Sequence, residues 1–564
     1  MGIHSKPKDP MGWVARVGLI SAGVLILLGV AVALLLSFGR PQISVSESDQ
    51  SLFAVHVSGM GSRLSSLTVT SGGHPVTLRQ KAGGYIPASP MGQGQTVKVS
   101  ARATSPSWLH WLVGSGTSTA KTINTPSAAP AVKVAISSSP GQVRVSFTHP
   151  VTVVSYRVAG SDTPKTVTLP SASTFADLAV PQAAAGSVEV VDAPQSWESL
   201  STTPSSVTWF VIPADGETVA LVSPAPGSAA ANANQPITLT FDGPVSQALG
   251  GQHPTLTPDV PGTWSQPNED SLVFTPSGFG FGPGATVKVT FAKAVKAVGY
   301  SATTTTDSAS ATSAYTYSTA PASLLRMEQI LTQLHYLPFT FTPSAGASLP
   351  TDMAGQVSDM TQPPAGTFQW RWANAPATLQ AKWTTPGTDN ELVKGALMAF
   401  LNVDPSYHYD GYKAEESTVA ELATPQVWQQ LLQASMANSV DPDPYTYVYV
   451  TKHAPETLTL WQDGVVKMTS AANTGIPQAP TADGTFPVYI RFAQAHMKGT
   501  NPDGTKYDDL VSWISYFNGG DAVHAFPRGA YGYPQSLGCV ELPGSSGESA
   551  YNLMAIGNLV TVAG

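Results

Sequence analysis

The sequence predicts a multidomain, mainly β chain: an N-terminal transmembrane helix, β-sandwich modules, a small three-helix module and a C-terminal β-rich domain. Three observations predict it. A chain of 564 residues exceeds what one hydrophobic core organises, since domains run to about 100–150 residues each. Period-2 alternation dominates to about residue 320 and returns at Tyr445, with 3.6-residue periodicity between. Charged residues make up 11%, against about 25% in ordinary soluble domains, and 50 Gly and 47 Pro supply frequent turns.

The N-terminus carries the first element. Residues 17–39 (VGLISAGVLILLGVAVALLLSFG) run without a charge, and as a helix at about 1.5 Å per residue they span roughly 35 Å, enough to cross a bilayer. The run is longer than the roughly 7–15 apolar residues of a cleavable signal and lacks a small-x-small exit, so an uncleaved signal anchor is expected. Lys6, Lys8 and Arg16 precede it and Arg40 follows, which leaves residues 1–16 cytoplasmic and everything from Pro41 outside the cell membrane. The net charge of -8 and the absence of a basic block after the N-terminus exclude an electrostatic nucleic-acid footprint.

Two β modules follow, over residues 41–127 and 128–215. Short alternating segments mark them, at Thr96–Ser100, Val132–Ile136 and Val143–Phe147. Ser/Thr/Ala-rich stretches near Thr117–Pro130 and Ser201–Ser206 read as boundaries. A third module, residues 216–320, has alternating strands at Ile237, Leu239, Phe241 and at Val287, Val289, Phe291. Its words LVSPAPGS, PITLTFDGPV, GTW and SLVFTPSGFGFGPGATVKVTF resemble a bacterial immunoglobulin-like domain, which implies a sandwich spacer without chemistry.

After a Ser/Thr/Ala linker at Ser301–Ser318 the period changes. Leu324, Met327, Leu331 and Leu334 share a helical face, as do Val393, Leu397 and Phe400. A third helix starts with Thr424 as N-cap and Pro425 at the first helical position. The segments LLRMEQILTQLHYLP, ELVKGALMAFLNVD and TPQVWQQLLQA resemble the three-helix peptidoglycan-binding domain, stretched by an insertion around 340–388. The resemblance implies wall binding by residues 321–438; a helical spacer is the bland alternative.

Residues 440–564 carry the chemistry. Strands are expected at 445–450, on both sides of an Asp463–Gly464 hairpin turn, and at 484–492, 511–517 and 522–526. Cys539 is the one cysteine, so no intramolecular disulfide forms. A free thiol near its reference pKa of about 8.5 is only a few per cent thiolate at neutral pH, so a nucleophilic cysteine needs a base. His524 lies 15 residues upstream on a predicted strand, with Pro527, Gly529, Gly532 and Pro534 between to turn the chain back. Ser536, Gly538 and Cys539 form a tight turn in which the Gly538 and Cys539 N–H groups are candidates to meet a developing oxyanion. Arg528 is a candidate fork for a substrate carboxylate or a solvated loop residue. Tyr516, Trp513 and Tyr531 are candidates to line the cleft or to serve as core.

The words TLTLWQDGVVKMTSAANTG, PTADGTFPVYIRF and HAFPRGAYGYPQSLGCVELP, in that order, resemble the L,D-transpeptidases of YkuD type. The family's upstream His, its Ser or Thr three residues before Cys, and its Gly just before Cys fall on His524, Ser536, Gly538 and Cys539. The backbone carbonyl beside the His, here Ala525, often orients the imidazole in the family. Two positions depart: Leu537 where many relatives have a second His, and Glu541 where they have Asn or Arg. The resemblance implies a cell-wall enzyme with no cofactor. Cys539 would attack the L-centre carbonyl of the third residue of a peptidoglycan stem peptide, release terminal D-Ala, and pass the acyl group to a neighbouring amine. Water as acceptor would make a carboxypeptidase, and loss of activity a wall-binding protein.

Sortase-like transpeptidases need an Arg after the Cys, and residues 540–564 contain neither Arg nor Lys. Papain-like hydrolases place Cys before His, the reverse of this order. His335, His408, His453 and His496 stand apart from any second ligand at metal spacing, so no metal is expected.

Overall fold

The computed structural model describes residues 11–564 apart from 49, 82, 213–215 and 300–308. The cytoplasmic assignment of residues 1–16 and the first part of the expected 301–318 linker therefore fall largely outside the described residues. Strand makes up 42% and helix 18% of the chain, as the mainly β expectation requires. The chain divides into two compact units, one of residues 1–217 with 298–308 and one of residues 218–297 with 309–564.

The first unit begins with a helix at Met11–Phe38, six residues longer at its start than the apolar run. Its Ser21–Phe38 segment is long and apolar enough to cross a bilayer. A four-stranded sheet follows, built on Arg63–Ser71, Thr96–Thr104 and Gly116–Asn124 with the short strand His74–Pro75 at its edge. Alternate residues of Thr96–Thr104 are buried, Val97, Val99, Ala101 and Ala103 facing the core. The stretch Thr117–Pro130, read as a module boundary, is not linker throughout. Its first half is a full strand, because β-branched Thr117, Thr119 and Ile123 suit a half-buried edge as well as they suit a linker composition. A five-stranded sheet comes next, with Gln142–Val158 central between Lys165–Ala179 and Ala185–Ala193.

The second unit opens with a β region in which strands at Ile237–Phe241 and Thr286–Thr290 belong to two different sheets around one core of Phe241, Leu272, Val287 and Tyr317. The expected linker is strand from Ala309 to Thr312 and from Ala314 to Ser318, since Tyr315 and Tyr317 alternate into that core.

Three long helices occupy the predicted places: Leu324–Gln333, Glu391–Val403 and Pro425–Ala437. Thr424 caps the last by accepting from Val427 N, with Pro425 at its first position. Four shorter helices and a hairpin pairing Phe339–Pro343 with Gly366–Trp370 accompany them among the described residues, so the segment is more than a three-helix module. It has no separate core: one buried cluster runs from Met327 and Leu397 through Val448 and Leu460 to Val540 and Val562. Contacts are close enough that a Cβ on Gly395 would lie 2.4 Å from Gly557 O, and one on Gly411 2.2 Å from Tyr489 O. At about 25 cal/mol per Å² of apolar surface removed from water, a shared core of this kind couples the two segments' stability.

The C-terminal region has two sheets. The five-stranded one runs Val465–Ala471, Thr457–Gln462, Thr446–Thr451, Leu559–Ala563, Gly484–Pro487. The Asp463–Gly464 turn joins its first hairpin with both residues at positive φ, 47° and 84°, the geometry that matches strand twist. The four-stranded sheet runs Ile490–Thr500, Lys506–Asn518, Asp521–Ala525, Val540–Leu542. The expected 484–492 strand is split between these two sheets.

Candidate active site

Asp521–Ala525 and Val540–Leu542 lie parallel, with Val523 opposite Val540, His524 opposite Glu541 and Ala525 opposite Leu542. Facing residues of a parallel pair share one side of the sheet and neighbours alternate. His524 and Glu541 are therefore on one side. Cys539 comes just before this strand and packs on the same small cluster as Phe526, whose ring centroid lies 6.0 Å from that of His524.

The turn that delivers Cys539 is fastened at both ends. Ser536 Oγ donates to Cys539 O at 2.5 Å, and Ser536 O accepts from Ile476 N at 2.9 Å. Asn473 exchanges backbone hydrogen bonds with Glu541 at 3.0 and 2.9 Å, so residues 473–476 run alongside 536–541. Buried Glu456 supports that strip, accepting from Thr474 N at 2.6 Å and Thr474 Oγ1 at 2.7 Å. Gly538 has φ 118°, and a Cβ there would sit 2.3 Å from Asp521 Oδ1, so only glycine fits. Its N–H donates to Ser536 Oγ at 3.3 Å. The donor expected to meet an oxyanion is thus engaged inside the turn.

His524 is buried, with Nδ1 3.1 Å from Ala525 O. A carbonyl only accepts, so Nδ1 carries the proton and Nε2 keeps its lone pair. Burial lowers the pKa of His524, opposed by that hydrogen bond and by Glu541, with Arg528 adding to the lowering. The ring is a neutral base at neutral pH. The Cys539 thiol donates to Gly520 O at 3.6 Å and makes no hydrogen bond to the imidazole. Burial pushes the thiol up to about 12; the Ala522 N–H opposes this, and Asp521 and Glu541 add to it. The resting pair is thiol and imidazole, both uncharged.

Three of the candidate substrate-side residues are engaged within the protein. Arg528 forks onto Glu541, Nε to Oε2 at 2.8 Å and Nη2 to Oε1 at 2.7 Å, and its guanidinium lies 4.7 Å over Phe526. That carboxylate occupies the fork expected for a substrate, and it explains the acid at 541: Glu541 is an internal partner, with 5% of its side chain exposed. Tyr531 is also engaged on both sides, its hydroxyl donating to Phe526 O at 2.7 Å and accepting from Arg528 N at 3.1 Å. Trp513 packs on Tyr551, ring centroids 5.4 Å apart, at a bulge where its φ is 63°. Tyr516 remains beside the thiol. Its hydroxyl pKa is raised to about 12, first by burial and then by Cys539, and Tyr507 shows the same direction and causes. Tyr516 was among the expected cleft residues; Tyr507 and Asp521 were missed, because no spacing signal pointed to the start of the long Lys506–Asn518 strand or to the residue before Ala522. Among the described residues no cluster of His, Cys, Asp or Glu could hold a metal.

Solved structures similar to this chain include the catalytic domain of an L,D-transpeptidase from E. faecium, at 28% identity over 21% of this chain and 96% of that one, TM-score 0.20. An L,D-transpeptidase from Mycobacterium smegmatis is 14% identical over 62% of this chain and 99% of that one, TM-score 0.20. L,D-transpeptidase 3 from Mycobacterium tuberculosis, in complex with a faropenem-derived adduct, is 14% identical over 61% and 97%, TM-score 0.21. No curated protein matches the chain. Residues 445–562 match the family model of YkuD, the L,D-transpeptidase catalytic domain, and Cys539, the one cysteine of the chain, lies inside that match.

Proposed function

We propose that this chain is a membrane-anchored cell-wall L,D-transpeptidase in which Cys539 is the nucleophile and His524 its general base. The observation that carries the assignment is the imidazole's tautomer next to the cysteine turn: His524 holds its proton on Nδ1 toward Ala525 O and keeps Nε2 free, on a strand paired with the one that Cys539 leads into. The family match around that cysteine supplies the substrate class, a peptidoglycan stem peptide. The apolar Met11–Phe38 helix supports the anchor reading, with the remainder of the chain facing the wall.

Because both partners rest uncharged, the thiol is not stored as an anion. Substrate entry brings the stem carbonyl to sulfur, and His524 Nε2 takes the thiol proton as the S–C bond forms. The tetrahedral intermediate collapses by breaking the C–N bond to D-Ala, whose amine leaves with the proton from His524. A stem amine then attacks the thioester, gives its proton to His524, and expels the thiol, which takes that proton back. Ser536 and Gly538 hold the cysteine turn, and Ala525 O keeps the imidazole in the tautomer this cycle needs. The helical segment, sharing its core with the catalytic strands, belongs to the catalytic unit, so wall contact by that segment is coupled to the site it supports.

A carbapenem offers a strained carbonyl at the donor acyl position, so intact-protein mass over time tests the assignment. Wild type is expected to gain one carbapenem. His524→Ala is expected to slow acylation by about 10²–10⁴-fold with the fold intact, and Cys539→Ser to abolish it. Equal rates in wild type and His524→Ala would remove the base.

A further inference from the structure

We infer that the segment Ser105–Gly114 is a second membrane contact, a tryptophan-bearing loop that seats the first β module on the outer bilayer interface where the Met11–Phe38 helix emerges. The inference rests on the membrane-span reading of that helix and adds a surface to it.

The placement comes from three contacts. Leu109 is buried, and its Cδ2 lies 3.2 Å from where a Cβ on Gly39 would stand. Met60 N donates to Phe38 O at 3.0 Å, bringing the loop before Arg63–Ser71 to the same helix end. A Cβ on Gly61 would meet Pro106 Cγ at 2.7 Å, joining that loop to the tryptophan segment. The exit of the span is thus ringed by residues 59–62 and 105–114.

The segment is rigid and presents apolar side chains outward. Ser105 Oγ donates to Gly114 O at 2.5 Å, Gly114 N to His110 O at 3.0 Å, and His110 Nε2 lies 2.8 Å from Ser105 O, closing the loop on itself. Trp108 and Trp111, three apart on consecutive helical turns, share a face opposite buried Leu109. They are 61% and 79% exposed, and of the tryptophans whose side chains are described no other is exposed. Phe38 and Met60 at the same exit are 67% and 47% exposed. In water such a cluster is unfavourable. At the level of lipid headgroups an indole has its preferred surroundings, apolar face toward acyl chains and N–H toward water. Arg40, next to the exit, is placed to meet lipid phosphate. Continuity with the span selects lipid as the occupant over a second copy of the chain.

The test uses the full chain in phosphatidylcholine vesicles brominated near the carbonyl end of one acyl chain, which quench tryptophan at shallow depth. Trp13, at the cytoplasmic end of the Met11–Phe38 helix, reports the anchor; Trp108 and Trp111 report the loop. Trp108→Phe/Trp111→Phe is expected to lose about two-thirds of the wild-type quench, because two of the three tryptophans in reach are gone. Equal quench in wild type and double variant, with both on vesicles and Trp13→Phe lowering the signal, overturns the inference and leaves the anchor standing. A wild type that stays off the vesicles overturns both. Loss of quench in the double variant accompanied by a dimer-to-monomer change assigns the face to a second copy and overturns the lipid reading.

Discussion

Two regions of this chain bury carboxylates beside β-strands, and they handle the charge in opposite ways. At the catalytic turn, Glu541 meets a guanidinium in a two-point fork, and the partnership raises the Arg528 pKa. In the first unit, Glu198 is 6% exposed and meets no cation among the described residues: Oε2 accepts from Gln195 N at 2.9 Å, and Oε1 has no partner among them. Burial pushes Glu198 up to about 7, against the Gln195 N–H and with added repulsion from nearby Asp192. Burial by itself favours the neutral form; a fixed opposite charge is what lets a buried acid stay an anion. The catalytic region uses the second arrangement beside a thiol that burial keeps protonated, so the local charge is settled before substrate arrives.

The largest expected effect tests the thiol side of that contrast. With Cys539 pushed up to about 12, its thiolate fraction should rise about tenfold per pH unit through the neutral range, so alkylation by iodoacetamide should rise about 100-fold from pH 7 to pH 9 without a plateau. A thiolate–imidazolium pair would give a rate nearly flat above pH 7, and such a profile would break the reading of an uncharged resting pair.

The next effect comes from making Glu541 resemble Glu198. Arg528→Met leaves the carboxylate beside Val540 and Leu542 without its partner. Breaking a buried pair costs about 3–5 kcal/mol, and with the Arg528 side chain 31% exposed we expect the lower value of about 2 kcal/mol at pH 7, read by urea unfolding. Arg528→Met/Glu541→Gln should regain at least half of it; a double variant as unstable as the single one would place the cost in lost Arg528 packing on Phe526 instead.

The same contrast marks what was legible in the sequence. Period, caps and turn chemistry are local, and Thr424–Pro425, the Asp463–Gly464 hairpin and the alternation of Val97, Val99 and Ala101 could all be read from neighbours in the chain. The order His524, Ser536, Gly538, Cys539 was legible because sixteen consecutive residues carry most of the site. Partners brought from further away were not. The Arg528 fork closes on Glu541 across a turn, Asn473 and Glu456 hold the cysteine strip from over 60 residues upstream, and Tyr507 comes near the thiol from another strand. Composition also misled where Thr served as strand former in Gly116–Asn124, since linkers and edge strands draw on the same residues.

The smallest effect concerns Glu198 itself, where the sign of the pH dependence is the test. Its folded pKa, about 7, lies above the 4.5 of an ordinary glutamate, so between those values the folded state holds more protons than the unfolded chain. Stability then falls as pH rises through that window and levels off above it, the reverse of a salt-bridged acid. The shift sets a ceiling of roughly 3 kcal/mol, and relaxation around Oε1 should leave about 1–2 kcal/mol. Glu198→Gln keeps an oxygen for Gln195 N and removes the titration, so it should be more stable than wild type by that amount at pH 8 and equal to it near pH 4.5. Glu328 and Asp441 are also raised to about 7, so the quantity to follow is the difference between wild type and variant at each pH, in which their contributions cancel. A difference that stays constant from pH 4.5 to pH 8 would mean that Glu198 has found a partner, and that the two regions bury their acids alike.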